Sequence, residues 1–258
     1  MKTTMTKRVL VTGATSGIGK ATATLLAKRG YHLIITGRRA KKLQELKKKL
    51  ERKYVVTVKA LPFDISDKKA VKAAFNSLSK EEKRIDILIN NAGLAAGMHP
   101  IHRGSTDHWE SMIDTNIKGL LYITRLVSPG MAKRRSGMII NVCSTAGHEV
   151  YPNGNVYCAT KHAVDALTRS MRIDLHSYGV RVGQISPGHV EETEFALVRF
   201  DGDADKARIY EDFQPLRSRD VAEIIWYMVS RPKHVSIQDI IVTGTQQANS
   251  NFIDRSGR

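Results

Sequence analysis

Three glycines, Gly13, Gly17 and Gly19, fall within seven residues, between the apolar run at 9–12 and the helical pattern after it. Glycine has no Cβ, so it turns sharply and lets another group come close to its backbone. A helix that starts from such a turn presents unpaired N–H groups, which suit a phosphate. Strand, glycine turn and helix in this order open a dinucleotide-binding βαβ unit. The stretch Gly13, Ala14, Thr15, Ser16, Gly17, Ile18, Gly19 is therefore a candidate pyrophosphate cradle.

The rest of the chain continues the alternation. Short β-rich runs stand at 9–12, 32–36, 54–63, 85–90, 138–143, 180–185 and 237–242. Most are apolar on both faces, as strands of a parallel sheet covered on both sides must be. Helical patterns lie between them, at 39–52, 67–80, 107–133 and 156–176. The fold expected is a Rossmann-type, doubly wound parallel β-sheet of about seven strands, an α/β architecture with helices on both faces. No repeat or linker interrupts it, so one domain over 1–258 is expected. The stretch 186–208 is long, irregular and rich in acids, and reads as a lid or binding loop.

No apolar run approaches the roughly 18 residues of a membrane span. The opening Met1–Arg8 leads into a run too short for a signal peptide. Cys143 and Cys158 fit neither a disulfide framework nor a zinc site, and a cytoplasmic location is expected. The two thiols read as small buried hydrophobes. The histidines show no metal-ligand spacing, and no metal is expected. The net charge of +16 is concentrated: residues 1–60 hold sixteen Lys or Arg against two acids. A solvated helix face at 41–53 together with an anionic cofactor accounts for this excess. A nucleic-acid-binding module is the alternative.

Two sites carry chemistry beyond the glycines. An NAD site needs a carboxylate about 20 residues past the glycine turn, to hold the ribose 2′-OH. Here that place reads Thr36, Gly37, Arg38, Arg39. Two guanidiniums there suit the 2′-phosphate of NADP, unless they only begin a basic helix. Tyr157 and Lys161 lie one helical turn apart. A phenol with a pKa of about 10 is a poor acid–base group at neutral pH until a nearby cation favours its phenolate. Ser144 follows the fifth strand, where a hydroxyl can reach a cleft beyond the sheet's carboxyl edge.

Together these segments resemble the classical short-chain dehydrogenase/reductase family over nearly the whole chain. Residues 12–19 resemble its glycine motif, Asp64 its adenine-contacting acid, and Asn90, Asn91, Ala92, Gly93 its signature after strand four. Asn116, Ser144, Tyr157 and Lys161 resemble its catalytic tetrad, with the family's spacings of 13 from Ser to Tyr and four from Tyr to Lys. Pro187 and Gly188 resemble its turn after strand six. A closer likeness is to the NADP-dependent 3-hydroxy acid (serine, allo-threonine) dehydrogenases that also reduce malonic semialdehyde. It rests on the segments at 91–95, 112–116, 144–147, 154–157, 193–195 and 198–200.

The resemblance implies an NADP(H)-dependent oxidoreductase that interconverts an alcohol and a carbonyl, here a small 3-hydroxy acid. Tyr157 is then the proton donor or acceptor. Lys161 holds the nicotinamide ribose and lowers the tyrosine pKa. Ser144 binds the substrate oxygen, and Asn116 positions a water for proton relay. Asp64, Ile65, Asn91, Ala92 and Gly93 line the cofactor; Pro187, Gly188, Val190 and Thr193 cover its nicotinamide end. Arg199 is the candidate partner for a substrate carboxylate, and His148 is another; alternatively Arg199 only neutralises its acidic neighbours. His148, Glu149 and His189 are more polar than the resemblance leads one to expect, and they are expected to border the substrate. They leave open a reductase of a sugar, ketone or larger carbonyl compound. The resemblance also implies a homotetramer built on the helices at 110–133 and 157–176, with no nucleic-acid or membrane partner.

Overall fold

The computed structural model describes residues 7–257. Most of the opening segment Met1–Arg8, where no signal peptide is expected, lies outside these residues. Seven strands form one parallel sheet in the order β3-β2-β1-β4-β5-β6-β9. They are β1 (Arg8–Val11), β2 (His32–Gly37), β3 (Val58–Pro62), β4 (Ile87–Asn90), β5 (Gly137–Val142), β6 (Val180–Pro187) and β9 (Asp239–Val242). Two further short strands, β7 (Val190–Glu191) and β8 (Leu216–Arg217), pair separately beyond its edge.

Successive strand residues point to opposite faces, and each face is covered. Val9 and Val11 turn to the side of α1 (Gly17–Lys28), α2 (Ala40–Lys53) and α8 (Ser218–Ser230), where they meet Leu26, Leu43, Leu46 and Ile225. Leu10 and Ile34 turn to the other side. There α3 (Lys68–Asn76), α5 (Leu120–Lys133) and α6 (Asn155–Leu175) supply Val71, Ile123, Val127, Val164 and Met171. The doubly wound sheet expected from the sequence is the sheet observed.

Three elements differ from expectation. β3 starts at Val58, not residue 54, because Tyr54 ends α2 with its N–H on Leu50 and Val55 is fully exposed. The single helix expected at 107–133 is α4 (Thr106–Ile113), a π-helical turn at Asp114–Gly119, and then α5. α8 is absent from the helices expected, although Val221, Ile225 and Val229 follow helical spacing and are buried. The stretch 186–208 is not wholly irregular, since it holds the end of β6, β7 and the short α7 (Phe195–Arg199).

Candidate active site

The carboxyl ends of β1, β2, β4, β5 and β6 open onto one continuous cleft of about 880 Å³. The glycine turn forms its floor. Gly13 has φ +66°, and a Cβ there would stand 2.9 Å from Ala92 Cα. Gly19 is packed still more tightly, since a Cβ would meet Gly13 O and the Asn91 amide. Thr12 Oγ1 accepts from the N–H groups of Asn91 and Ala92, both at 3.0 Å, and Asn91 Nδ2 returns a bond to Thr12 O at 2.9 Å. The loops after β1 and β4 are thus one unit. α1 starts from Ser16 without a side-chain cap and has no acid in its first turn. Its first N–H groups therefore have no acid of the helix's own beside them, and the carboxylate that reaches this end is Glu194, bonded to Ser16.

Arg38 and Arg39 both line the cleft where β2 ends. Arg39 Nη2 donates to Thr15 Oγ1 at 2.6 Å and to Ser16 Oγ at 3.0 Å. Its Nη1 pairs with Glu194 Oε2 at 2.5 Å, and Lys42 Nζ meets the other oxygen of that carboxylate at 3.0 Å. Burial raises the Glu194 pKa, but the bonds from Lys42, Arg39 and Ser16 outweigh it and hold the carboxyl at about 2. Arg38 lies 3.8 Å from Asp64, whose other oxygen accepts from Ser66. The residues fit a dinucleotide carrying an extra phosphate. There is a glycine cradle, an uncapped helix N-terminus and a cluster of guanidinium and ammonium groups at the adenosine end. The cluster holds a carboxylate of this chain, so it has the charge and reach to hold an anion. Among the other expected cofactor contacts, Ile18, Ile65, Gly93, Pro187, Gly188, Val190 and Thr193 all line the cleft.

At the far end Ser144, Tyr157 and Lys161 converge. Ser144 follows β5 and hydrogen-bonds the Tyr157 side chain, while its Oγ accepts from Ala146 N at 3.1 Å. Tyr157 and Lys161 stand in the first turns of α6, both nearly buried. Burial is the main influence on Tyr157 and pushes its phenol well above the usual range. The neighbouring Tyr151 adds to the rise, and the Ser144 bond and the Arg199 charge oppose it. Burial also lowers the Lys161 pKa. Its Nζ donates to Val142 O at 3.0 Å and stands 5.8 Å from the Tyr157 ring. The expected lowering of the phenol pKa by Lys161 is not what dominates here; burial is.

Asn116 lies behind the cleft wall, in the π-helical turn. Its Oδ1 accepts from Leu94 N and its Nδ2 donates to Leu94 O, both at 2.8 Å, with a further bond to Thr160 Oγ1 at 3.1 Å. A Cβ on Gly93 would lie 3.2 Å from Asn116 Oδ1 and 3.7 Å from Lys161 Nζ. The structure brings Ser144, Tyr157 and Lys161 together at the cleft and sets Asn116 behind them. Widened helical turns often mark functional sites, and here the turn brings Asn116 to the loop after β4.

Arg199 is 6 % exposed and lines the cleft, so it does not serve as a surface counter-charge for its acidic neighbours. Its guanidinium lies over the rings of Tyr151 and Tyr157, 5.2 and 5.7 Å from their centroids, and its Nε and Nη2 have no hydrogen-bond partner. Phe195 meets Tyr157 edge-on at 5.6 Å. His148 corrects the expectation of a substrate contact. Its ring turns away from the cleft to Ser186 Oγ at 3.0 Å and Asp239 Oδ2 at 3.2 Å. Glu149 also points elsewhere, accepting from Ser250 N at 3.1 Å. His189 does line the cleft, packed edge-on against Tyr210 and Phe213, and burial lowers its pKa. Sequence reasoning missed three residues. Tyr151 forms part of the cleft wall, Lys42 holds the lid, and Gln247 Oε1 accepts from His189 N at 2.9 Å to hold the loop after β6.

Comparison with known proteins agrees with this geometry. The family model described as short chain dehydrogenase matches residues 7–202. The NADP-dependent 3-hydroxy acid dehydrogenase of Salmonella typhi is 46% identical over 233 residues, covering 90% of this chain and 92% of that protein. The enzyme of the same name from Schizosaccharomyces pombe is 41% identical over 251 residues, covering 96% of each. Among solved structures, the closed form of serine dehydrogenase complexed with NADP+ superposes with a TM-score of 0.90 at 44% identity, over 95% of this chain and 98% of that one. A cleft that joins a glycine cradle to a Ser–Tyr–Lys cluster, on a chain matched along most of its length, leaves one conclusion: the chain belongs to the short-chain dehydrogenase family.

Proposed function

We propose that the protein is an NADP(H)-dependent oxidoreductase that interconverts a small 3-hydroxy acid and the corresponding carbonyl compound. The observation that carries the substrate class is Arg199. A guanidinium buried in the cleft wall with two nitrogens unpaired is costly unless an anion completes it. It lies beside the proton-transfer tyrosine, so a carboxylate bound there by a two-pronged pair sets a hydroxyl a few atoms away against Tyr157. The names of the relatives agree with this reading. Of the three polar residues that left a bulkier or uncharged substrate open, His148 and Glu149 turn away from the cleft and His189 alone lines it.

The bound cofactor supplies or accepts the hydride. Arg38, Arg39 and Lys42 hold its 2′-phosphate, the start of α1 its pyrophosphate, and Asp64, Ile65 and residues 91–93 the rest of its length. Lys161 holds the nicotinamide ribose. Ser144 donates to the substrate oxygen and steadies the charge that develops there. Tyr157 is held as a neutral phenol and gives its proton to that oxygen during reduction. For oxidation it must first lose that proton. Asn116 holds the loop after β4 in place beside Lys161 and positions a water for the relay. The lid from β7 through α7 closes over this end.

Residues 7–257 work as one unit in this reading, in the cytoplasm. No helix of the described residues is long and apolar enough to cross a membrane. The working form is a homotetramer. α6 supports this, since its outward side carries Ala159, Ala166 and Ser170, followed by Ile173 at 71 % exposure, while Val164 and Met171 already cover the sheet.

Arg199→Ala tests the substrate class. Consumption of NADPH with malonic semialdehyde, and its formation with serine or 3-hydroxypropanoate, should fall by at least about 100-fold in kcat/KM, as expected when a buried ion pair loses one partner. An uncharged alcohol of similar size should lose little. Equal losses for both would mean that Arg199 shapes the lid without reading the carboxylate.

A further inference from the structure

Behind the catalytic wall, on the side away from the cleft, four elements bring polar groups to one point. His148 follows the turn that carries Ser144. Asp165 lies one turn beyond Lys161 on α6. Gln184 and Ser186 belong to β6, and Asp239 opens β9. Among the described residues, His148, Asp165 and Asp239 are the one trio whose nitrogen and carboxylate donor atoms all lie within 4.8 Å of one another. The His148 Nε2 to Asp239 Oδ2 separation is 3.2 Å. That is close to the edge of a tetrahedron about zinc, ~3.3 Å for bonds of ~2.05 Å.

A buried amide points into the same place. Gln184 is 1 % exposed, and its Nε2 donates to Asp165 Oδ1 at 2.8 Å and to Asp239 Oδ2 at 3.0 Å. Its Oε1 is buried without a partner. A half-turn of the amide brings that oxygen to the position of the nitrogen, facing both carboxylates. Three oxygens and an imidazole nitrogen then share one centre, which is favourable only with a cation at that centre. Ser186 Oγ, 3.0 Å from both His148 Nε2 and Asp239 Oδ1, gives the shell a hydroxyl.

We propose that His148, Asp165 and Asp239, completed by Gln184, form a structural binding site for a divalent cation of the zinc class. Two carboxylates and a neutral imidazole match a dipositive ion. The imidazole favours zinc over magnesium, which prefers oxygen alone. Asp165 Oδ2 pairs with Arg169 Nη2 at 3.0 Å and its inward Oδ1 accepts from Arg169 Nε at 3.3 Å, so the exposed guanidinium has to release Oδ1 when that oxygen becomes the ligand, and its grip on Oδ2 tempers the charge. The ion would fasten the Ser144 turn, α6, β6 and β9 to one another. It stands outside the reaction, and the proposal does not depend on the substrate assigned above.

Calorimetric titration of chelator-treated protein with zinc chloride, and thermal melts with and without zinc, test the site. One bound zinc per chain is expected, with a Tm rise of about 5–10 °C at a free zinc concentration 100-fold above Kd. Asp239→Asn should weaken binding at least about 100-fold and so remove most of the shift. His148→Gln provides the same readout if the first variant does not fold. Cobalt in place of zinc should give visible d–d bands that either variant loses. The site is refuted if zinc gives no shift, if both variants keep the full shift, or if magnesium at equal concentration matches zinc.

Discussion

At the scale of single residues, the site is governed by burial. Tyr157 is enclosed by Tyr151, Phe195 and the sheet, and its phenol is held protonated far above neutral pH. The sign of the pH dependence follows. Reduction, which needs the phenol proton, should stay nearly level from about pH 6 to about pH 9. Oxidation, which needs the phenolate, should rise with pH over that range. Initial rates in both directions check this, and an oxidation rate that falls as the pH rises would place the proton-transfer group elsewhere. Tyr157→Phe should lower turnover by about 10²–10⁴-fold and remove the rise, while NADPH binding followed by fluorescence stays within a few fold. Individual residues were legible in the sequence where a motif marks them: Gly13, Gly17, Arg38, Arg39, Ser144, Tyr157 and Lys161 all reach the cleft. Arg199 was legible only as one basic residue among acids. Its burial depends on α7 folding back so that Arg199 O accepts from Gly97 N at 2.9 Å, a contact across more than 100 residues.

At the scale of elements, strands were easier to read than helix interruptions. Runs such as Val9–Val11 and Ile87–Ile89 are apolar on successive residues because both faces are covered, and no helix start interrupts them. The π-helical turn left no such trace, because one added residue per turn shifts the apolar pattern less than ordinary sequence variation does. The polar ladder through the sheet was invisible for another reason, since its members come from four elements. Asn90 Nδ2 donates to Thr124 Oγ1 at 3.0 Å and to Asn141 Oδ1 at 2.9 Å, and Asn141 Nδ2 donates to Thr168 Oγ1 at 2.8 Å. All four side chains are buried, so they tie β4, β5, α5 and α6 in one register directly below the catalytic residues. Asn141→Leu removes the middle of the ladder and strands groups on both sides of it. Urea unfolding should show a loss of about 1–3 kcal/mol. A variant as stable as the parent would show that these bonds add no net stability.

At the scale of the whole molecule, two exposed apolar surfaces bear on the proposed tetramer. The exposed side of α6, with Ile173, and Val150 and Phe252 near the carboxyl edge, leave apolar area in water. Light scattering at micromolar concentration should give about four times the 28.7 kDa chain mass. A monomeric mass would exclude the tetramer. The histidine–aspartate cluster behind the wall shows the limit of sequence reading at this scale. Its three residues span 148 to 239 and meet only because β5, β6 and β9 are neighbours in the sheet and α6 packs against them.

The pairing of Glu194 with Arg39 and Lys42 has a thermodynamic consequence. On the proposed role of Arg39 and Lys42, the lid carries its own anion to the cations that would hold the 2′-phosphate, so capture of NADPH would be an exchange of one counter-ion for another. The affinity measured for NADPH is then the intrinsic affinity less the work of displacing a carboxylate, and the lid's tether is released by the same event. Glu194→Gln abolishes the competition. At roughly 0.2–1 kcal/mol for each of the two partly exposed pairs, NADPH should bind about two- to thirtyfold more tightly. NADH, which has no phosphate to exchange, should change little. Weaker NADPH binding in this variant would mean that Glu194 helps to hold the cofactor and is not its rival.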